Sequence, residues 1–286
     1  MNRRAFLIGT AVLAVGRSAT AAANVSKPID WAVTPPMDTR EAFVEWGRVD
    51  RDENPKFLSQ RWDRFRALVR NKDLWDQKTM RAFLLTPREE FAPANIRPHV
   101  YKPNFLDIGY GVTMSGPHLQ GRMTNSIDVK RGERVLEIGT GSGVQSAYLA
   151  NLTESVYTIE IIKPLADRTR GIYDGLIARG YTEYKHISTR SADGYYGWQE
   201  AAPFDKIIVT CGIDHVPPPL MSQLKPGGLM VIPVGPPGAQ RVLKLVKQQE
   251  GDGVRVTRED IYHGKIVPFV PFTKLVDGQI QGAHNK

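Results

Sequence analysis

Between residues 134 and 234 the chain alternates short β-branched or aromatic runs with helical stretches, and this alternation limits the possible folds more than any other feature. "RVLEI" (134–138), "SVYTI" (155–159), "YKHIST" (184–189), "FDKIIVT" (204–210) and "GLMVIPV" (228–234) predict strands. Helices are predicted between them, notably over 144–152 and 164–179. Strands at this spacing run parallel and are joined by right-handed crossovers, which gives an α/β fold with a doubly wound, mostly parallel sheet. After 234, "QRVLKLVKQQEGDGVRVTRED" predicts two strands joined by a Gly-Asp-Gly turn, an antiparallel C-terminal hairpin on the sheet edge.

Upstream of the sheet, Phe57, Leu58, Trp62, Phe65, Leu68 and Val69 recur every three or four residues, a helical stripe that should face inward. A second helix is predicted over about 73–85, before Pro87, so the N-terminal part of the folded region is helical. Residues 24–56 carry the breakers "VTPPMD" and "DRDENPK" and predict an extended segment with one short helix near Glu41 to Trp46. The folded domain is expected over 57–272 and a polar tail over 273–286.

Residues 1–23 look like a targeting segment. "NRRAFLIGTAVLAVGRSATAAA" joins paired arginines to an apolar stretch, Ala5 to Val15, and ends in small residues with A-x-A spacing. That describes a twin-arginine-type export signal and a periplasmic destination, with the cytoplasm as the alternative. The apolar stretch is shorter than the roughly 20 residues a membrane helix needs, so no stable membrane insertion is expected. The whole chain has net charge +8; without Arg3, Arg4 and Arg17 it has 35 basic against 30 acidic side chains, or +5. The surplus is scattered among acids, which argues against a nucleic-acid footprint. Cys211 is the only cysteine, so there is no intrachain disulfide framework, and a monomer is expected.

"VLEIGTGSG" (135–143) follows the first predicted strand and opens the first crossover helix, at the edge where doubly wound sheets bind ligands. A phosphate-cradling P-loop would end in Gly-Lys-Ser or Gly-Lys-Thr, but this run ends Gly143-Val144. A dinucleotide loop prefers G-x-G-x-x-G; here the spacing is G-x-G-x-G with Glu137 just upstream, an acid that would crowd a pyrophosphate but suits a cationic ligand. The next strand ends in Glu160, 21 residues after Gly139, where a carboxylate can accept two ribose hydroxyls. A ligand with a ribose and a positive charge follows, and S-adenosylmethionine has both.

Several ordered segments resemble the protein-L-isoaspartate O-methyltransferase family: "TPREEFAP" (86–93), "IGYGVTMSGPH" (108–118), "VLEIGTGSG", "VYTIE", "SADGYYGWQEAAPFDKIIVT", "LMSQLKPGGLMVIPVG" and "FVPF" (269–272). The resemblance spans about 57–272 and implies a Rossmann-like class I methyltransferase that uses S-adenosyl-L-methionine to esterify L-isoaspartyl and D-aspartyl residues of damaged proteins or peptides. It places Gly139, Gly141 and Gly143 beneath the methionine part of the cofactor, Glu160 on the ribose and Ile161 against the adenine. Asp193 and Gly194 match the family's Asp-Gly pair, whose aspartate accepts from the adenine amino group; on its own, such a pair more often makes a turn. "TMS" (113–115) matches the family's Thr-Ile-Ser, which makes Ser115 the catalytic-site residue at the methyl acceptor, with Thr113 supporting the cofactor side of the loop.

This chemistry needs neither a catalytic triad nor a metal cluster. A carboxylate with a pKa near 4 is already the nucleophile at neutral pH, so alignment in a dry pocket does most of the work. The six histidines show no zinc-ligand spacing, and no metal is expected. Cys211, followed by His215, suggests a thiol and base, but a lone cysteine behind a strand is more often an apolar filler. The chain departs from the family on the acceptor side. Met114, Gly116 and the pair Gln120-Gly121 replace its commoner residues, and "TCGIDHVPPPL" (210–220) replaces an alanine-rich stretch. Those departures motivate one alternative, methylation of a dedicated peptide aspartate or small acid; the predicted export motivates another, a non-catalytic cofactor-binding or chaperone-like module.

Overall fold

The computed structural model describes residues 33–251, 253–272, 274–276 and 279–281. The leader expected over 1–23 lies outside the described residues. The chain runs through helices α1 (Arg40–Asp50), α2 (Pro55–Arg70) and α3 (Gln77–Leu85), then a hairpin of β1 (Leu106–Gly109) and β2 (Val112–Met114). After α4 (Pro117–Ile127) come β3 (Val135–Ile138), α5 (Val144–Ala150), β4 (Val156–Glu160), α6 (Lys163–Ala178), β5 (Ile187–Ser191) and β6 (Phe204–Val209). The chain continues with α7 (Pro218–Gln223), β7 (Leu224–Val234), β8 (Arg241–Glu250) and β9 (Gly253–Asp260).

The main sheet has strand order β5-β4-β3-β6-β7-β8-β9. From β5 to β7 the pairs are parallel, and β8 and β9 add the antiparallel hairpin, so the doubly wound architecture expected from the alternation is present. The chain winds outward from β3 through β4 to β5, then returns to place β6 on the other side of β3. The gap between the carboxyl ends of β3 and β6 is therefore the switch point, where open α/β sheets leave a crevice. Successive strand residues feed opposite faces: Val135, Val156, Ile208 and Val231 join one buried cluster, while Leu136, Ile159, Ile207 and Met230 join the other.

The N-terminal region is more structured than its prolines suggest. The short helix expected near Glu41 to Trp46 is the 11-residue α1, capped by Thr39, whose hydroxyl accepts from the Ala42 amide at 3.2 Å. Phe43 is fully buried, its ring 5.7 Å from that of Trp62, so α1 belongs to the core and is not part of an extended lead-in. In α2 the predicted stripe buries Leu58, Trp62, Phe65 and Leu68, while Phe57 and Val69 are partly buried. The pattern missed Arg61, which lies on the same buried face with no exposure at all. Its guanidinium sits 2.7 Å from Glu53 and 2.9 Å from Glu89, and it donates to the Tyr101 hydroxyl at 2.8 Å and the Leu84 carbonyl at 2.9 Å. Two acids, a phenol and a carbonyl thus satisfy the buried cation, which ties the helices to the segment leading to β1. At the other end, the tail expected from 273 forms a small antiparallel ladder, β10 (Lys274–Val276) with β11 (Gln279–Gln281).

Arg61→Ala should lower the unfolding free energy by about 3–5 kcal/mol, because Glu53 and Glu89 stay buried without this cation. A urea midpoint equal to that of the wild type would contradict this.

Candidate active site

The floor of the cleft is the loop between β3 and α5. Gly139 sits at φ +93°, and a β-carbon there would lie 2.6 Å from Thr210 Oγ1, the residue that follows β6. Thr210 Oγ1 donates to the Gly139 carbonyl at 2.7 Å, pinning the two strand ends together across the switch point. Gly143, at φ +90°, serves a different contact, because a β-carbon would meet Thr169 Cγ2 at 2.5 Å and the Tyr173 hydroxyl at 2.6 Å, both on α6. Its missing side chain lets α6 pack against the loop.

Glu160 closes the loop from the side. Its carboxylate accepts from the Gly141 amide at 2.9 Å and the Ile162 amide at 3.0 Å, so one side chain links the end of β4 to the glycine loop. Burial raises its pKa, and the backbone amides oppose that rise. Glu137 is placed differently from the sequence expectation. It is fully buried beneath the loop, accepts from Thr158 Oγ1 at 2.7 Å and from Ser146 Oγ, and does not line the cleft. Burial pushes its pKa up to about 8, so at neutral pH it is a proton-bearing support and not a carboxylate facing a cationic ligand.

Counted out to its open mouth, the cleft spans about 730 Å³. Of the residues singled out from sequence, Thr113, Ser115, Gly139, Gly141, Glu160, Ile161 and Gly194 line it. Gly143 and Asp193 do not. Gly143 acts behind the loop, and Asp193 caps the turn Gly194–Tyr196 by accepting from the Tyr195 amide at 2.9 Å. A contiguous smaller chamber of about 430 Å³ shares Thr113, Ser115, Gly139, Gly141, Thr210 and Phe269 with the cleft and adds Gln120, Ser142 and Gln145. Ser115 therefore stands at the junction of the two spaces.

The family model for protein-L-isoaspartate(D-aspartate) O-methyltransferases matches residues 62–276. The chain belongs to this family. A protein-L-isoaspartate O-methyltransferase of Opitutus terrae is 44% identical over 204 residues, covering 71% of this chain and 82% of that protein. One from Nitrosospira multiformis is 48% identical, covering 63% of this chain and 73% of the relative. A solved protein-L-isoaspartate O-methyltransferase structure superposes with TM-score 0.60 at 25% identity, covering 74% of this chain and 65% of its own. A Plasmodium falciparum structure, titled as a putative member in complex with S-adenosyl-L-homocysteine, has the same fold, with TM-score 0.60 at 22% identity over 73% of this chain and 96% of that one.

Within this methyltransferase, sequence reasoning missed the roof. Residues Pro268 to Phe272 cover the cleft, held by the Gly212 amide donating to the Val270 carbonyl at 2.8 Å and the Phe272 amide to the Gly212 carbonyl at 2.7 Å. "FVPF" marked this segment as part of the resemblance, but an apolar run with a proline carries no signal of where it folds back. Cys211 lines the cleft, and burial pushes its thiol pKa up, so it remains a neutral thiol. His215 does not serve it as a base: its Nε2 bonds the Tyr195 hydroxyl at 3.0 Å and its Nδ1 bonds Asp214 at 2.6 Å.

Glu137 makes stability depend on pH. Its pKa is about 8 when folded and ~4.3 when unfolded, so the folded chain retains a proton that the unfolded chain releases. Its stabilising contribution is complete below the unfolded value and is lost as pH rises to about 8. In Glu137→Gln that loss disappears, and from pH 5 to 8 the stability difference should move towards the variant by roughly 1.4 kcal/mol per pH unit. Parallel pH profiles of wild type and variant in denaturant melts would refute this.

Proposed function

We propose that this chain transfers a methyl group from S-adenosyl-L-methionine to the free carboxylate of L-isoaspartyl and D-aspartyl residues in damaged proteins or peptides. The observation that carries this reading is Ser115, placed in a member of this family at the junction between the glycine-floored cleft and the adjoining chamber. The cleft fits the cofactor, because a carboxylate has about four acceptor positions and Glu160 uses two on backbone amides. Its remaining acceptor capacity suits ribose hydroxyls, with Ile161 beside it as an apolar surface for the adenine. Asp193, which the resemblance sets against the adenine amino group, can keep its capping bond to the Tyr195 amide while it accepts a further hydrogen bond, because a carboxylate has about four acceptor positions. When bound, the cofactor supplies an electrophilic methyl group on a positively charged sulfur.

The protein's own residues supply position and dryness. The acceptor carboxylate is ionised at neutral pH and needs no general base. Ser115 orients it by donating a hydrogen bond, while Phe269 and its neighbours in the roof exclude water. In the esterified peptide the adjacent backbone nitrogen attacks the new ester and expels methanol, which carries away the amide proton, giving a succinimide that water opens partly to normal aspartate. The leader read in residues 1–23 extends this proposal to a monomeric enzyme exported to the periplasm, where isoaspartyl sites of exported proteins would be its substrates. Detection only in the cytoplasmic fraction of cells making the full chain would contradict the export reading.

The central test supplies labelled S-adenosylmethionine and two peptides that differ only in isoaspartate against aspartate. Label should enter the isoaspartyl peptide alone; equal labelling, or none, would overturn the proposal. Ser115→Ala should lower kcat by roughly 10- to 100-fold while cofactor affinity stays within about twofold. Glu160→Ala should weaken cofactor binding by about 10-fold or more in calorimetry, and an unchanged Kd would remove the ribose assignment.

A further inference from the structure

Arg88 is a buried cation whose bonds go to no acid. It is 3% exposed, and its guanidinium donates to the Val100 carbonyl at 2.6 Å, the Ser115 carbonyl at 2.5 Å and the side-chain oxygen of Gln120. Burial pushes its pKa down to about 10, which still leaves it cationic at neutral pH. A guanidinium has donors and no acceptor, so the Gln120 amide must turn its oxygen to Arg88 and its NH2 group away. Gln120 lines the smaller chamber together with Ser115, and among the described residues no acceptor bonds its amide nitrogen.

Two of the other polar side chains of the chamber are committed elsewhere. Thr140 Oγ1 is hydrogen-bonded to Thr158 Oγ1 at 2.7 Å, and Gln145 Nε2 donates to Thr124 Oγ1 at 2.9 Å. Beside the Ser115 hydroxyl, the chamber thus presents the Gln120 NH2 donors backed by a desolvated positive charge, a combination that favours an anion with planar oxygens. We propose that Gln120, held in register by Arg88, is a carboxylate-binding residue of this chamber. This rests on the methyltransferase reading, in which two carboxylates come together: that of the acceptor and that of the cofactor's amino-acid end. Arg88 is the positioning residue, since the same guanidinium holds both Ser115 and Gln120.

Gln120→Glu separates this role from a structural one. The variant keeps side-chain length and gains an ion pair with Arg88, so its melting temperature should not fall. It replaces the donor pair with a negative charge facing the chamber. Four quantities would be compared between wild type and variant: KM and kcat for the isoaspartyl peptide, and calorimetric Kd for S-adenosylhomocysteine and for its decarboxylated amine analogue. A rise of 10-fold or more in peptide KM, with both Kd values unchanged, would assign the subsite to the acceptor carboxylate. An equal loss of S-adenosylhomocysteine affinity, spared in the decarboxylated analogue, would assign it to the cofactor carboxylate. No change in peptide KM and none in the S-adenosylhomocysteine Kd overturns the proposal. Gln120→Met, which removes the donors without adding charge, covers the case in which the glutamate variant fails to fold; it should raise KM or Kd in the same pattern with kcat within about threefold. Calorimetry needs no acceptor, so an inactive wild type would sink the isoaspartyl reading alone, and unchanged S-adenosylhomocysteine affinity would then overturn the subsite as well.

Discussion

At the end of β3 the backbone must leave the sheet, turn and start α5 without sending a side chain into the gap between β3 and β6, and the rest of the site depends on that turn. Gly139 meets this constraint on one side, where Thr210 stands too close for any β-carbon. Glu160 meets it on the other, taking the Gly141 amide into a charge-assisted hydrogen bond at 2.9 Å. The loop is therefore pinned by neighbours from β6 and β4, the two strands that flank β3 in the sheet. A loop held from both sides is already organised before any ligand arrives, which lowers the ordering cost of binding.

Two buried charged groups, far apart in sequence, serve different ends. Arg61 is surrounded by Glu53, Glu89 and Tyr101, so its desolvation is met by opposite charge and its role is to fasten the N-terminal helices onto the domain. Arg88 is just as hidden, yet meets only carbonyl and amide oxygens, and the positive field it keeps reaches the acceptor loop. The two acids of the loop region divide in the same way. Glu137, deep beneath the glycines, is held by hydroxyls and keeps its proton, whereas Glu160, bonded by backbone amides, faces the cleft. Partners decide the role of each group more than its residue type does.

Much of this was legible in the chain itself. Short β-branched and aromatic runs separated by helices specified parallel strands, and the order of those runs around "VLEIGTGSG" specified the binding edge, because these signals depend on near neighbours in sequence. The resemblance of several ordered segments identified the family, and seven of the nine residues drawn from it line the cleft. Phe43, Arg61 and the Pro268–Phe272 roof were not legible, since their burial depends on segments tens of residues away that no local pattern reports.

The sequence by itself therefore determined the sheet, its hairpin and the chemistry of the loop, all written in local periodicity and in glycine spacing. Only the tertiary structure decided which acid faces the ligand, why Gly143 must lack a side chain, and which way the Gln120 amide points. Each of those is set by contacts across the fold: Glu160 with Gly141, α6 against the glycine loop, and Arg88 against Gln120. Charge, burial and hydrogen-bond direction depend on what surrounds a side chain in space, and the linear order of residues does not contain that information in any local form.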